Sequence, residues 1–76
     1  MSKFTVYSKA GCGQCIFTKN KLTELGQDWE EKRIDLDPDA RQEAMDKGAM
    51  GAPFVVAPSG ETISGFNEKW LTEMAV

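Results

Sequence analysis

The sequence predicts an α/β fold, a four-stranded mixed sheet flanked by three helices in the order βαβαββα. Three observations lead there. The chain opens on a strand-like run that breaks at glycine into a helical stripe; Phe54 to Ala57 is continuously apolar, as a strand covered on both faces is; and a Pro-Ser-Gly turn folds the next run back on it. The 76 residues make one domain, residues 1–76, with no room for a second. A single core of that size supplies only about 3–5 kcal/mol, so nearly every apolar residue has to serve it.

Lys3-Phe4-Thr5-Val6-Tyr7-Ser8 alternates and is rich in β-branched and aromatic residues, the pattern of a first strand. Lys9-Ala10-Gly11 turns the chain into a helix. On it Cys15, Thr18, Leu22 and Leu25 recur at intervals of three, four and three, forming one buried stripe, and Gly26 supplies a left-handed stop. Trp29 to Leu36 reads as the second strand, and Glu30, Glu31, Lys32 and Arg33 put charge on both of its faces, which suits a sheet edge. Asp37 caps and Pro38 opens a second helix reaching Gly48, with Ala40, Ala44 and Met45 on its core side. Phe54-Val55-Val56-Ala57 takes the centre of the sheet, and Glu61-Thr62-Ile63-Ser64 returns as the other arm of a hairpin. Asn67 caps the last helix, with Phe66 and Leu71 as a hydrophobic staple and Trp70 and Met74 on the same side. Trp29, Trp70 and Phe4 are assigned to the core.

Composition removes several function classes. At 41% hydrophobic and 28% charged, this is an ordinary folded globule and not a disordered chain. The net charge is −3 and the nine cations are scattered, which argues against a surface that tracks nucleic-acid phosphates. No apolar run approaches the roughly 20 residues that span a bilayer, and Met1-Ser2-Lys3-Phe4-Thr5 lacks the apolar centre of a signal peptide. A cytoplasmic monomer with neither nucleic acid nor membrane as partner is expected.

Both cysteines lie in Cys12-Gly13-Gln14-Cys15, and three uses compete for them. As a staple the pair closes a loop too short to approach the roughly 3 kcal/mol expected of a 15-residue loop. Structural zinc needs four ligands, and with no other Cys and no His a metal role would require a dimer or a borrowed ligand, and an iron–sulfur cluster a dimer. Thiol–disulfide exchange needs only these two residues. A CxxC at the junction of a first strand and a first helix is the context of a thioredoxin-like redox motif. The expected function is therefore redox, with no cofactor and no metal, the working group being the Cys12–Cys15 disulfide itself. The alternative from a different class is a non-catalytic module that holds metal or a cluster.

Exchange proceeds through a thiolate, which a free cysteine of pKa about 8.5 supplies poorly at neutral pH. Cys12 sits where the first helix begins, so unpaired N–H groups, the helix dipole and nearby Lys9 should depress its pKa and make it the exposed nucleophile. Cys15, one turn on and facing inward, is the resolving thiol that attacks the Cys12 sulfur of a mixed disulfide. Pro53, after small Ala52 at the start of the central strand, is either an ordinary trans proline or a cis proline; if cis, the Ala52 backbone would lie beside the cysteines for pairing with a bound chain. Ile16 and Phe17 fall off the buried stripe. They form either a docking patch beside the cysteines or part of the packing under the last helix.

From end to end the chain resembles the glutaredoxin-like branch of the thioredoxin fold, and within it the NrdH-redoxins. The resemblance rests on the first strand leading through Tyr7 to Cys12-Gly13-Gln14-Cys15, on Ala52-Pro53 before an apolar strand, and on Ser64-Gly65-Phe66 before the last helix. Gln14 and Ser64 to Phe66 are the discriminating matches, because NrdH-redoxins typically carry a CVQC-like motif and a Ser-Gly-Phe segment. It implies a thioredoxin-like fold and electron transfer from thioredoxin reductase and NADPH to a class Ib ribonucleotide reductase. A glutathione-dependent dithiol glutaredoxin is the alternative within this class. Such glutaredoxins carry a Gly-Gly followed by an acidic residue that helps hold the tripeptide, whereas Gly65 here is followed by Phe66 and Asn67. The partner-binding surface is expected to comprise Tyr7, Lys9, Gly13, Gln14, Ala52, Pro53, Ser64, Gly65 and Phe66. Gly13 stands where valine is commoner, and Ile63 and Asn67-Glu68-Lys69 replace an aromatic residue and an Arg-Pro-Asp on either side of Ser-Gly-Phe.

Overall fold

The computed structural model describes residues 3–75; Met1 and Ser2, which open the segment read for a signal peptide, and Val76 lie outside the described residues. The elements follow the predicted order: β1 (Phe4–Ser8), α1 (Gly13–Glu24), β2 (Trp29–Arg33), α2 (Pro38–Asp46), β3 (Phe54–Val56), β4 (Thr62–Ser64) and α3 (Glu68–Met74). They form one four-stranded sheet in the order β2-β1-β3-β4. β1 runs parallel to β2, with Phe4 opposite Trp29 and Ser8 opposite Arg33, and antiparallel to β3, with Tyr7 opposite Phe54. β4 is antiparallel to β3. The apolar strands take the inner places and charged β2 takes an edge, as its two-sided charge requires.

Alternation along β1 divides the core between the two faces of the sheet. Phe4 and Val6 join Val55, Ala57, Leu22 of α1 and Leu71 of α3 in one buried cluster, onto which Leu25, Trp29, Phe66, Trp70 and Met74 pack. Tyr7 points the other way, into a smaller cluster with Phe54, Ala40 and Ala44 beneath α2. Of the three aromatics assigned to the core, Phe4 is fully buried, while Trp29 and Trp70 are half-buried at its margin.

Helix ends follow the capping residues. The Asp37 carboxylate accepts the N–H groups of Asp39 and Ala40 at 3.0 and 3.3 Å, with Pro38 at the first helical position, and the Asn67 side chain accepts the Trp70 N–H at 3.0 Å. α1 stops at Gly26, whose φ of +72° is reached cheaply only by glycine; Gly26 N–H donates to Thr23 C=O and Gln27 N–H to Leu22 C=O. No helix among the described residues is long and apolar enough to cross a membrane.

Two expectations are corrected. β2 ends at Arg33 and not Leu36: Ile34 N–H still reaches Ser8 C=O at 2.9 Å, but Asp37 N–H then closes onto Arg33 C=O, so Ile34 to Leu36 is a turn that leaves Leu36 exposed. Met45 is not on the core side of α2. Ala40 and Ala44, four apart, face the sheet, and Met45 lies a further 100° or so around the helix, in solvent.

Candidate redox site

β1 delivers the chain to Ser8, and the turn Lys9-Ala10-Gly11 lifts it into α1, with Gly11 at φ +70°. The turn is tied down from β2. Ala10 N–H donates to the Asp35 carboxylate at 3.1 Å, while Arg33 forks onto the same carboxylate at 2.8 and 2.6 Å. Hydrogen bonding from Arg33 holds the Asp35 carboxyl down at about 2.

Cys12 is the N-cap of α1, and its sulfur accepts the Cys15 N–H at 3.1 Å. The two cysteines form a disulfide with Cα atoms 5.2 Å apart. Cys15 is 1% exposed on the inward stripe, together with Thr18 and Leu22. Cys12 is the more accessible of the pair, yet half-buried where an exposed nucleophile is expected. The reason is its setting: it lies in a cleft of about 470 Å³ walled by Lys9, Ile16, Lys19, Glu31 and Arg33.

The segments singled out in the sequence converge here. Gln14 Oε1 accepts the Phe66 N–H at 3.3 Å across 52 residues of chain, and Gly65 N–H donates to Pro53 C=O at 2.7 Å. Gly65 adopts φ +87°, and a Cβ at that position would sit 3.9 Å from Gln14 Oε1. Ala52–Pro53 is cis, which settles the alternative left open above. β3 begins directly after it, antiparallel to β1, so Pro53 lies at the end of the sheet from which Cys12 follows. Ser64 ends β4 opposite Phe54 and is exposed, and Lys9 is exposed on the rim of the Cys12 cleft. Gly13 opens α1 between the cysteines with nothing near a Cβ built on it. Ile16 and Phe17 are exposed, and the Phe17 ring lies 6.0 Å from that of Phe66 at 52°, which makes an apolar ridge beside the dithiol.

Tyr7 does not belong to this surface. It is 1% exposed and points to the α2 face, where its hydroxyl donates to Glu43 at 2.5 Å and Lys32 bonds the same carboxylate oxygen at 2.7 Å. Burial, followed by Glu43, raises its pKa. The sequence reading in turn missed a polar group on the α1 side. Ser8, fully buried, donates to Glu31 at 2.5 Å, and Lys19 of α1 pairs with the same oxygen at 2.9 Å. The Ser8 hydrogen bond and then Lys19 lower the Glu31 pKa. The available signal was parity: Ser8 shares a face of β1 with Val6, and Cys15 and Lys19 are four apart on α1.

This arrangement can perform thiol–disulfide exchange. A buried thiol stands one helical turn from a more accessible sulfur at disulfide distance, and a backbone N–H is aimed at that sulfur. Among the described residues no group of three or more His, Cys, Asp or Glu could hold a metal ion.

Known proteins bear on this geometry. Residues 4–62 match the family model for glutaredoxin. The chain is 34% identical over 71 residues to the glutaredoxin-like protein NrdH of Lactococcus lactis, covering 93% of this chain and 97% of that one. Among solved structures, the thioredoxin-like protein BC3987 superposes with a TM-score of 0.88 at 29% identity, covering 95% of this chain and 99% of its own. The NrdH-redoxin of Escherichia coli does so with a TM-score of 0.83 at 28% identity, covering 92% and 91%. With its thioredoxin-like fold and its cysteines at disulfide distance, the chain belongs to the glutaredoxin family, in the NrdH-redoxin branch, and is a thiol–disulfide oxidoreductase.

Proposed function

We propose that this chain is a dithiol electron carrier that draws two electrons from thioredoxin reductase and NADPH and delivers them to a protein disulfide, that of a class Ib ribonucleotide reductase. The observation that carries the reading is the hydrogen bond from Phe66 N–H to Gln14 Oε1. It joins the two segments that distinguish NrdH-redoxins from glutathione-using relatives. After Gly65 it sets an aromatic ring against Phe17, where a glutathione site needs a carboxylate. The relative from Escherichia coli has a thioredoxin-like activity profile, which supports the same circuit here. The cytoplasm as its location and action as a monomer belong to this reading.

Cys12 and Cys15 divide the work. The Cys12 thiolate attacks one sulfur of the substrate disulfide, forming a mixed disulfide and expelling the other substrate sulfur as a thiolate. Cys15, deprotonated, then attacks Cys12 Sγ, which breaks the mixed bond and releases the second substrate thiolate. The product is the Cys12–Cys15 disulfide of the present structure. Two electrons and two protons from the reductase return it to the dithiol. Lys9, Gly13, Gln14, Ala52, Ser64, Gly65 and Phe66 form the surface around the exchanging sulfurs, and Pro53, itself fully buried, holds Gly65 through its C=O.

A coupled assay tests the electron source. One reaction contains NADPH and thioredoxin reductase, the other NADPH, glutathione and glutathione reductase, each with insulin as the disulfide substrate. Turnover in the first is expected. Turnover only in the second would overturn the proposal in favour of a glutathione-dependent glutaredoxin, and a purified protein with cluster absorbance would favour the binding-module reading.

A further inference from the structure

Two adjoining clefts, of about 420 and 320 Å³, lie over α2 and share Ile34, Arg41 and Met45, so together they make one groove. Leu36 walls one end and Met50 the other. Leu36, Met45 and Met50 are 71, 54 and 91% exposed; among the described residues the other large apolar side chains that are comparably exposed, Ile16 and Phe17, flank the dithiol. None of the groove's three serves the core, since Tyr7, Phe54, Ala40 and Ala44 close that cluster beneath them. A grouping of this kind marks a contact surface, and methionine adapts to varied partners.

The groove also has a charge. Arg41 lines both clefts, and among the described residues its side chain has no ion pair or hydrogen bond, unlike Arg33 nearby, which is held in the fork of Asp35. Its planar fork suits a carboxylate. Both ends of the groove lead to the dithiol. Asp35, which lines the first cleft, holds Ala10 N–H two residues before Cys12; Met50 and Gly51, which line the second, run directly into Ala52-Pro53.

We propose that this groove holds a segment of the protein disulfide substrate in which one carboxylate stands between apolar side chains, the carboxylate on Arg41 and its neighbours on Met45 and Leu36. The inference rests on the reading above that the acceptor is a protein. The groove selects the partner and sets its register, while the sulfurs do the exchange.

The test uses two synthetic peptides that differ in one residue. Each carries an intramolecular disulfide at one end, a flexible spacer of about eight residues, and Leu-Glu-Leu or Leu-Lys-Leu at the other. Such a spacer reaches up to about 25 Å, on a molecule 30 Å along its longest dimension. Oxidation of the pre-reduced protein is followed against peptide concentration. The Glu peptide is expected to half-saturate at about fivefold lower concentration than the Lys peptide, with the same limiting rate. Arg41→Glu should reverse that order and leave the reduction of hydroxyethyl disulfide, too small to span the groove, unchanged. Equal half-saturation by the two peptides, or a Glu preference that survives Arg41→Glu, would overturn the proposal. Failure to reduce even hydroxyethyl disulfide would overturn the dithiol reading and the groove with it.

Discussion

Cys12 and Cys15 are three residues apart, yet they differ in access and in partners. Cys12 caps the helix and lies open to a cleft, whereas Cys15 is buried and supplies the N–H that its partner's sulfur accepts at 3.1 Å. Cys15→Ser is therefore expected to accumulate a mixed disulfide with a substrate, detected as added mass that dithiothreitol removes. Cys12→Ser should form none; equal adducts on both variants would refute the division of roles. In the reduced protein the same N–H and the dipole of α1 favour the Cys12 thiolate, so absorbance titration at 240 nm should show it ionising below about 8.5. Residues whose role depends on local spacing were legible in the sequence: both cysteines, Asn67 and Asp37. The resemblance assigns Tyr7 to the partner surface, and parity along β1 overrides it. Tyr7 shares a face with Thr5 and not Val6, which directs it to α2. Ser8, Glu31 and Lys19 were legible only in part: parity gives the faces of Ser8 and Lys19, but their meeting at Glu31 depends on the register of a parallel strand pair and a helix docked over it, which no local pattern encodes.

The elements owe their positions to burial more than to helix propensity. α1 is twelve residues long, short for a helix to stand alone, and holds its place through Leu22 and Thr18 against the sheet. Leu22→Ala leaves a void among Phe4, Val55 and Leu71, and is expected to cost about 2–5 kcal/mol by urea denaturation. α3 is shorter still, seven residues, and leans on its cap. Asn67→Ala should cost about 1 kcal/mol, and an unchanged urea midpoint would mean that Leu71 and Trp70 anchor α3 without it. The order and type of all seven elements could be read from periodicity and caps. Two details escaped. β2 stops early because Asp35 turns back to hold both Arg33 and Ala10, a contact across 25 residues. Met45 was grouped with Ala40 and Ala44 by apolar character, although only the pair four apart faces the sheet.

In the molecule as a whole, β2 and the turn that follows it carry most of the charge that ties layer to layer. Glu31 joins the sheet to α1, Lys32 meets Glu43 of α2, and Asp35 fastens the turn before Cys12. These links titrate at the two ends of the pH scale. The carboxyls of Asp35, Glu31 and Glu43 are all held below their ordinary range, chiefly by hydrogen bonds from Arg33, Ser8 and Lys32 respectively. A carboxyl with a depressed native pKa contributes stability that is complete above its unfolded value, roughly 4, and is lost as pH falls through the native value. Tyr7 and Lys32 are shifted upward, Tyr7 by burial and then Glu43, Lys32 by its bond to Glu43. Their contribution is complete below the unfolded values, about 10, and is lost as pH rises beyond them. The urea midpoint of the oxidised protein should therefore be nearly flat from about pH 5 to 9, fall below about pH 4 and fall again above about pH 10. Glu43→Gln acts at both ends, since it removes one of the titrating carboxyls and also the charge that shifts Lys32 and adds to the effect of burial on Tyr7. It should make the alkaline limb shallower, burial of Tyr7 still sustaining part of it, while leaving most of the acid limb, which Asp35 and Glu31 still carry. An alkaline limb as steep in Glu43→Gln as in the parent would show that the Tyr7–Glu43–Lys32 group does not link the sheet to α2 in solution.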